Sequence, residues 1–164
     1  MTEIPYWNTL FGNEDIVSIT SAITNKCISQ GAISSKLEQR LSVLLDSSDE
    51  LFVFMVSSGS MALVLALLAL DVGPGDEVVI PNYTWIATAH APLLLGASPV
   101  LVDTKSDFPI IDEDQIVDCI TPKTKVIMPV HLNGRACNMQ KINSIASKYG
   151  LYVVEDSAQA FMST

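Results

Sequence analysis

The sequence predicts an α/β fold, a three-layer sandwich with a mainly parallel central sheet. Three observations carry that prediction. From residue 51 onward, short apolar runs alternate with longer helical patterns, as strands do when each feeds a crossover helix. Residues 51–70 and 78–102 contain no Asp, Glu, Lys or Arg, which suits elements covered on both faces. Polar residues gather just after the apolar runs, at 57–60, 82–85, 131–133 and 156–159. In open parallel sheets, ligands bind outside the carboxyl ends of the strands.

Residues 1–13 read as irregular, punctuated by Pro5 and Gly12, with Tyr6, Trp7 and Phe11 suited to lying across another surface. Asn13 is placed to cap a helix, with Glu14 and Asp15 complementing its dipole and Ile16, Ile19 and Ile23 at helical spacing. Gln30-Gly31-Ala32 closes that unit. A second helix is expected from Ser34 or Ser35, with Leu37, Leu41, Leu44 and Leu45 on one face. Asp46-Ser47-Ser48-Asp49 is a polar turn. Residues 1–50 thus form an N-terminal helical segment, and 51–164 the sheet-containing part.

In that second part, 51–56 reads as a buried strand, 57–60 as a Ser-Ser-Gly-Ser turn and 60–70 as an apolar helix. Gly73-Pro74-Gly75-Asp76 is a sharp turn. A strand at 77–80 is stopped by Pro81. A helix over 84–95 is kinked or ended by Pro92. Strands at 98–102, 125–130 and 151–154 complete the pattern, with helices at 112–120 and 138–149, the latter stopped by Gly150.

Composition narrows the function classes. The chain has 164 residues, 49% of them hydrophobic and 16% charged, enough for one substantial core. The net charge is −9 and no basic cluster occurs, which argues against nucleic-acid and anionic-membrane partners. Cys27, Cys119 and Cys137 are odd in number and form no Cys-x-x-Cys pair, so free thiols in a reducing cytoplasm are expected. No basic or apolar leader opens the sequence, so no signal peptide is expected. The uncharged run 51–70 is long enough to span a bilayer, but its central Ser-Ser-Gly-Ser favours strand, loop and helix. The cysteines and two histidines lack metal-ligand spacing, and neither a Gly-x-Gly-x-x-Gly nor a Walker A motif occurs.

The strand ends offer specific chemistry. Ser57, Ser58, Gly59 and Ser60 sit at a helix start, where unpaired N–H groups and the macrodipole favour an anion; a plain Ser cap is the competing reading. Trp85 can stack on a planar ring or pack in the core. Asp156 ends an apolar run and needs a partner if buried, either a protonated heteroaromatic nitrogen or the start of a following helix. Gln159 reaches the same ligand if a helical turn begins there. His131 is a general base or a backbone partner. A phosphate cradle, a flat aromatic and a carboxylate at strand ends are together what pyridoxal phosphate requires.

The stretches SSGSMALVLALLAL, DVGPGDEVVIPNYTWIATAHAPLLLGASPVLVD, ITPKTKVIMPVHLNG and YGLYVVEDSAQA carry a resemblance over nearly the whole chain. The sequence resembles the DegT/DnrJ/EryC1/StrS sugar aminotransferases, pyridoxal-phosphate enzymes of fold type I. The resemblance implies that Gly59 and Ser60, with the Met61 amide, bind the cofactor phosphate. It implies that Trp85 stacks on the ring, Asp156 meets the pyridine nitrogen and Gln159 contacts the ring hydroxyl. It further implies a homodimer that moves an amino group, usually from glutamate, to a keto sugar nucleotide for surface polysaccharide or amino-sugar synthesis. Ser60 stands where Thr is usual, Met61 where Ala is common, and Asn133 where an aromatic is usual. The family's cofactor-linking lysine lies beyond the match to Asp156, with the last sheet strands and a small domain. The expectation is therefore an N-terminal portion, inactive by itself. A related sugar dehydratase and a non-catalytic subunit are the alternatives.

Overall fold

Branched aliphatic residues and short polar turns build the centre of the molecule. The computed structural model describes residues 9–45 and 51–163. Contacts between backbone positions divide the chain into two units, residues 1–55 and 56–164.

The first unit holds α1 (Asn13–Thr24) and α2 (Ala32–Leu45). The N-cap of α1 is Gly12 rather than Asn13, because the Asp15 carboxylate accepts the Gly12 N–H at 2.7 Å and fixes the start one residue earlier. The start of α2 at Ala32 likewise precedes the expected serines. Glu38 Oε1 accepts the Met55 N–H at 2.8 Å. Tyr6, Trp7 and the polar turn at 46–49 lie outside the described residues.

The second unit contains α3 (Gly59–Ala69), β1 (Glu77–Pro81), α4 (Ile86–Leu94), β2 (Ser98–Val102), β3 (Thr124–Ile127), α5 (Met139–Tyr149) and β4 (Tyr152–Val153). The strands form an all-parallel sheet in the order β2-β1-β3-β4. Because side chains alternate along a strand, the sheet has two apolar faces. Val78 and Ile80 of β1 join Leu63, Val64 and Leu67 of α3 and Ala91 of α4. Val79, between them, joins Ile127 of β3 and Ile142 and Ile145 of α5 on the opposite side. Helices on both faces make the expected three layers.

Two predicted elements are corrected. Residues 51–56 are not a buried strand: they form no ladder with any described strand, and Phe52 and Phe54 are exposed. An extended segment becomes a strand only with a partner edge, and none of the described strands supplies one. The helix expected over 112–120 shrinks to a 3₁₀ turn at Val117–Cys119. Asp112 accepts from the Asp114 N–H at 3.1 Å and Gln115 Nε2 at 2.7 Å, a local turn that competes with helical pairing. Glu113, fully buried, bonds the Asn138 N–H at 3.0 Å and Lys105 Nζ at 2.6 Å. The hydrogen bond to Glu113 also raises the Lys105 pKa above its ordinary value. This carboxylate draws the 112–120 segment inward and ties it to the start of α5.

The remaining elements differ only at their ends. The expected strand at 125–130 is Thr124–Ile127, continued by an isolated bridge between Val130 and Asp156. Pro92 sits in the last turn of α4, which ends soon after it. Asn138 caps α5, its side chain accepting the Lys141 N–H at 3.1 Å, and Gly150 closes it at φ +68°, where a side chain would be strained. Among the described residues, no helix is long and apolar enough to cross a membrane.

Leu67 is fully buried where α3 meets the sheet. Replacing it with alanine removes packing between the last turn of α3 and the sheet and is expected to cost about 2–5 kcal/mol. Urea unfolding measures this; a loss below about 0.5 kcal/mol would show that α3 is not anchored through this contact.

Candidate functional site

Topology selects one crevice. From β1 the chain crosses to β2 through α4, then returns to lay β3 on the other side of β1. The winding direction therefore reverses between β1 and β3, and such reversals open a crevice at the carboxyl ends of the strands. A cavity of about 270 Å³ lies there. Gly59 and Ser60 line it from the start of α3, Thr84 and Trp85 from the loop after β1, and Asp156 and Gln159 from the loop after β4.

The α3 start is both a cap and an open donor set. Ser58 is the N-cap, and its Oγ accepts the Met61 N–H at 3.3 Å. The Met61 amide is thus already engaged. The amides of Gly59 and Ser60 have no acceptor within the helix, because the first turn has no preceding carbonyls. Nothing lies within 4 Å of where a Gly59 Cβ would sit, so the backbone there is open to close approach.

Trp85 is 75% exposed, which removes the core-packing alternative. It occupies the N-cap position of α4 without a side-chain cap bond and is one of the residues lining the cavity.

Asp156 is 9% exposed and fixed at several points. Its backbone bridges to the β3 extension, donating to Pro129 O at 3.0 Å and accepting from the His131 N–H at 3.1 Å. Oδ2 accepts from Thr88 Oγ1 at 2.9 Å, and Oδ1 from the Ala158 N–H at 3.3 Å. The residues after Asp156 form a turn rather than a helix, so the helix-cap alternative fails. Gln159 Oε1 accepts the Asn133 N–H at 2.8 Å, and its NH₂ group has no acceptor among the described residues. Asn133 holds φ +58°, a left-handed conformation that asparagine tolerates better than a bulky side chain.

His131 belongs elsewhere. Its Nδ1 accepts the Cys137 N–H at 3.0 Å, and its Nε2 meets Glu155 Oε2 at 2.8 Å. It lines a second cavity with Cys137 and Glu155, so the backbone-partner reading is correct and the general-base reading is not supported. Sequence reasoning missed Thr84, which lines the cavity, and Thr88, which is buried behind it and bonds Asp156. Their four-residue spacing across a helix start, which brings Oγ1 atoms within 3.2 Å, was the available signal.

The family model described as the DegT/DnrJ/EryC1/StrS aminotransferase family matches residues 10–164. The chain belongs to this family. It is 52% identical over 104 residues to UDP-N-acetyl-3-dehydro-alpha-D-glucosamine 3-aminotransferase of Acidithiobacillus ferrooxidans, covering 63% of this chain and 28% of that protein. Its fold superposes on NtdA of Bacillus subtilis, solved with bound PMP, with a TM-score of 0.85 at 36% identity. That match covers 97% of this chain and 37% of NtdA. A putative sugar aminotransferase of Streptococcus pneumoniae in its PMP form gives a TM-score of 0.85 at 30% identity, over 94% of this chain and 42% of that one. The chain therefore spans well under half the length of these relatives.

Near the site, Cys137 is buried, and its thiol donates to Val130 O at 3.3 Å. Burial pushes the thiol pKa up to about 11, with the Glu113 charge adding to the shift. The folded thiol keeps its proton through a range where the unfolded one, near 9, has lost it. Folded protein then holds more protons, so this contribution is full below pH 9 and is lost as pH rises towards 11. Cys137→Ala removes the effect. The stability difference between wild type and variant should shrink by on the order of 2 kcal/mol across that window in urea titrations. A pH-independent difference contradicts the assignment.

Proposed function

We propose that this chain is the part of a pyridoxal-phosphate-dependent nucleotide-sugar aminotransferase that holds the ring and phosphate of the cofactor. One observation carries the reading: Gly59, Ser60, Trp85, Asp156 and Gln159, from three separate loops, share a single cavity at the sheet's reversal point. The donor chemistry fits the group, with open amides and a hydroxyl at one end, a flat indole, and a buried carboxylate.

Each residue then has a task. The Gly59 and Ser60 amides and the Ser60 hydroxyl hold the phosphate, with Ser58 keeping the helix start formed. The Met61 amide contributes by sharing its hydrogen with Ser58. Trp85 covers one ring face and excludes water. Asp156 keeps a proton on the pyridine nitrogen, the electrostatic partner its burial calls for. Gln159 donates its NH₂ to the ring hydroxyl, because its carbonyl is committed to Asn133. When bound, the cofactor supplies the electron sink for amino-group transfer.

Residues 1–50 are proposed as an N-terminal helical segment and 51–164 as the first part of the cofactor-binding large domain. The named relatives support a keto sugar nucleotide as amino acceptor. Glutamate as donor and a homodimeric full-length enzyme rest on the family resemblance. The three free thiols support a cytoplasmic setting.

Titration with pyridoxal 5′-phosphate tests the reading, followed by quenching of the exposed Trp85 and with Trp85→Phe as the control for Trp7. Saturable quenching is expected in wild type. Gly59→Ala decides between cap and phosphate site. Nothing in the protein opposes the new methyl group, so unfolding stability should be unchanged or slightly higher. Affinity should fall about tenfold or more, because the methyl group occupies the space the phosphate approaches through. Equal affinities would reduce this turn to a helix cap.

A further inference from the structure

Thr84 lines the cavity, and Thr88, behind it, touches the Asp156 carboxylate. Thr88 is fully buried in the first turn of α4, with Asp156 Oδ2 at 2.9 Å and Thr84 Oγ1 at 3.2 Å. Resting on the pyridoxal-phosphate reading, we propose that Thr84 and Thr88 are positioning residues, a two-hydroxyl relay that orients the Asp156 carboxylate towards the cofactor's ring nitrogen.

Proton counting sets the direction of the relay. An ionised carboxylate can only accept, and a threonine hydroxyl has a single proton to give. Thr88 therefore donates to Asp156 Oδ2. Its contact with Thr84 Oγ1, the other hydroxyl within reach among the described residues, then runs from Thr84 to Thr88. The order is Thr84 to Thr88 to Asp156. Hydrogen bonds to an ionised acceptor are roughly twice as strong as neutral ones, and each polarises the next.

The geometry also fixes the direction in which the carboxylate faces. Thr88 holds Oδ2 from α4, while the Ala158 N–H holds Oδ1 from the turn after β4. Each oxygen has further acceptor capacity, and Asp156 lines the cavity beside Thr84 and Trp85. The two threonines touch the ligand's nitrogen only through Asp156. A methyl group in place of the Thr88 hydroxyl fits the same volume but leaves Oδ2 short of a donor inside the protein.

The test binds pyridoxal 5′-phosphate, ¹⁵N-labelled in the ring, to the full chain, and reads affinity and the ring-nitrogen resonance at one pH. In wild type the resonance should lie at the protonated position. Thr88→Val should weaken binding about tenfold and move the resonance towards that of neutral pyridine. Thr88→Ser should restore both, which a purely packing role would not achieve. Thr84→Val, with the inner bond intact, should give a smaller loss, about threefold. A folded Thr88→Val protein with wild-type resonance and affinity overturns the relay. If Thr88→Val does not fold, Thr84→Val decides: unchanged resonance and affinity overturn the relay, and a shift with weaker binding supports it. Absence of binding by wild type overturns the functional reading itself, a result distinct from either.

Discussion

A carboxylate buried at the end of β4 constrains everything around it. Removing a charge from water costs several kcal/mol unless partners replace the lost hydration. Asp156 has a threonine hydroxyl, one amide and two backbone bridge bonds, drawn from α4, the β3 extension and its own turn. Those partners meet only if β3 lies between β1 and β4 and α4 packs over the same sheet face as α3. The sheet order and the placement of α4 thus bring to one strand end the partners that a buried carboxylate needs. A cationic ring nitrogen would complete its environment.

The two cavities at this end of the sheet divide the polar chemistry. One gathers open donors, an indole and the Asp156 carboxylate. The other contains His131, Glu155 and Cys137, whose polar groups are spent on each other and on backbone. Glu155 and Asp156 are neighbours in sequence yet serve different cavities, because successive residues of an extended chain point to opposite sides. His131 at a strand end invites a general-base reading from sequence. Its committed ring nitrogens and the high thiol pKa argue for a structural role.

Much of this was legible in the sequence, for identifiable reasons. The strand-loop-helix order, the apolar alternation in Val78-Val79-Ile80 and the polar clusters after strands are local signals, and the fold follows them. That Gly59, Ser60, Trp85, Asp156 and Gln159 would meet at one cavity was legible because strand ends in parallel sheets converge. The errors fell where non-local partners decide. Residues 51–56 have strand composition, but no described edge accepts them. Residues 112–120 have a helical pattern, but Asp112 closes a local turn and Glu113 is drawn inward to Lys105 and Asn138. Thr88 was overlooked because a threonine in an apolar helix gives no hint of the aspartate it meets across 68 positions.

On the reading proposed here, one cavity holds phosphate at the α3 start and a ring against Trp85 and Asp156. Amide and indole chemical-shift mapping compares pyridoxal 5′-phosphate with pyridoxal, which lacks the phosphate. The account predicts that the Gly59 and Ser60 amides move only with the phosphorylated ligand. The Trp85 indole and the Ala158 and Gln159 amides should move with both. Shifts confined to other surfaces, or a Gly59–Ser60 response that ignores the phosphate, would contradict it.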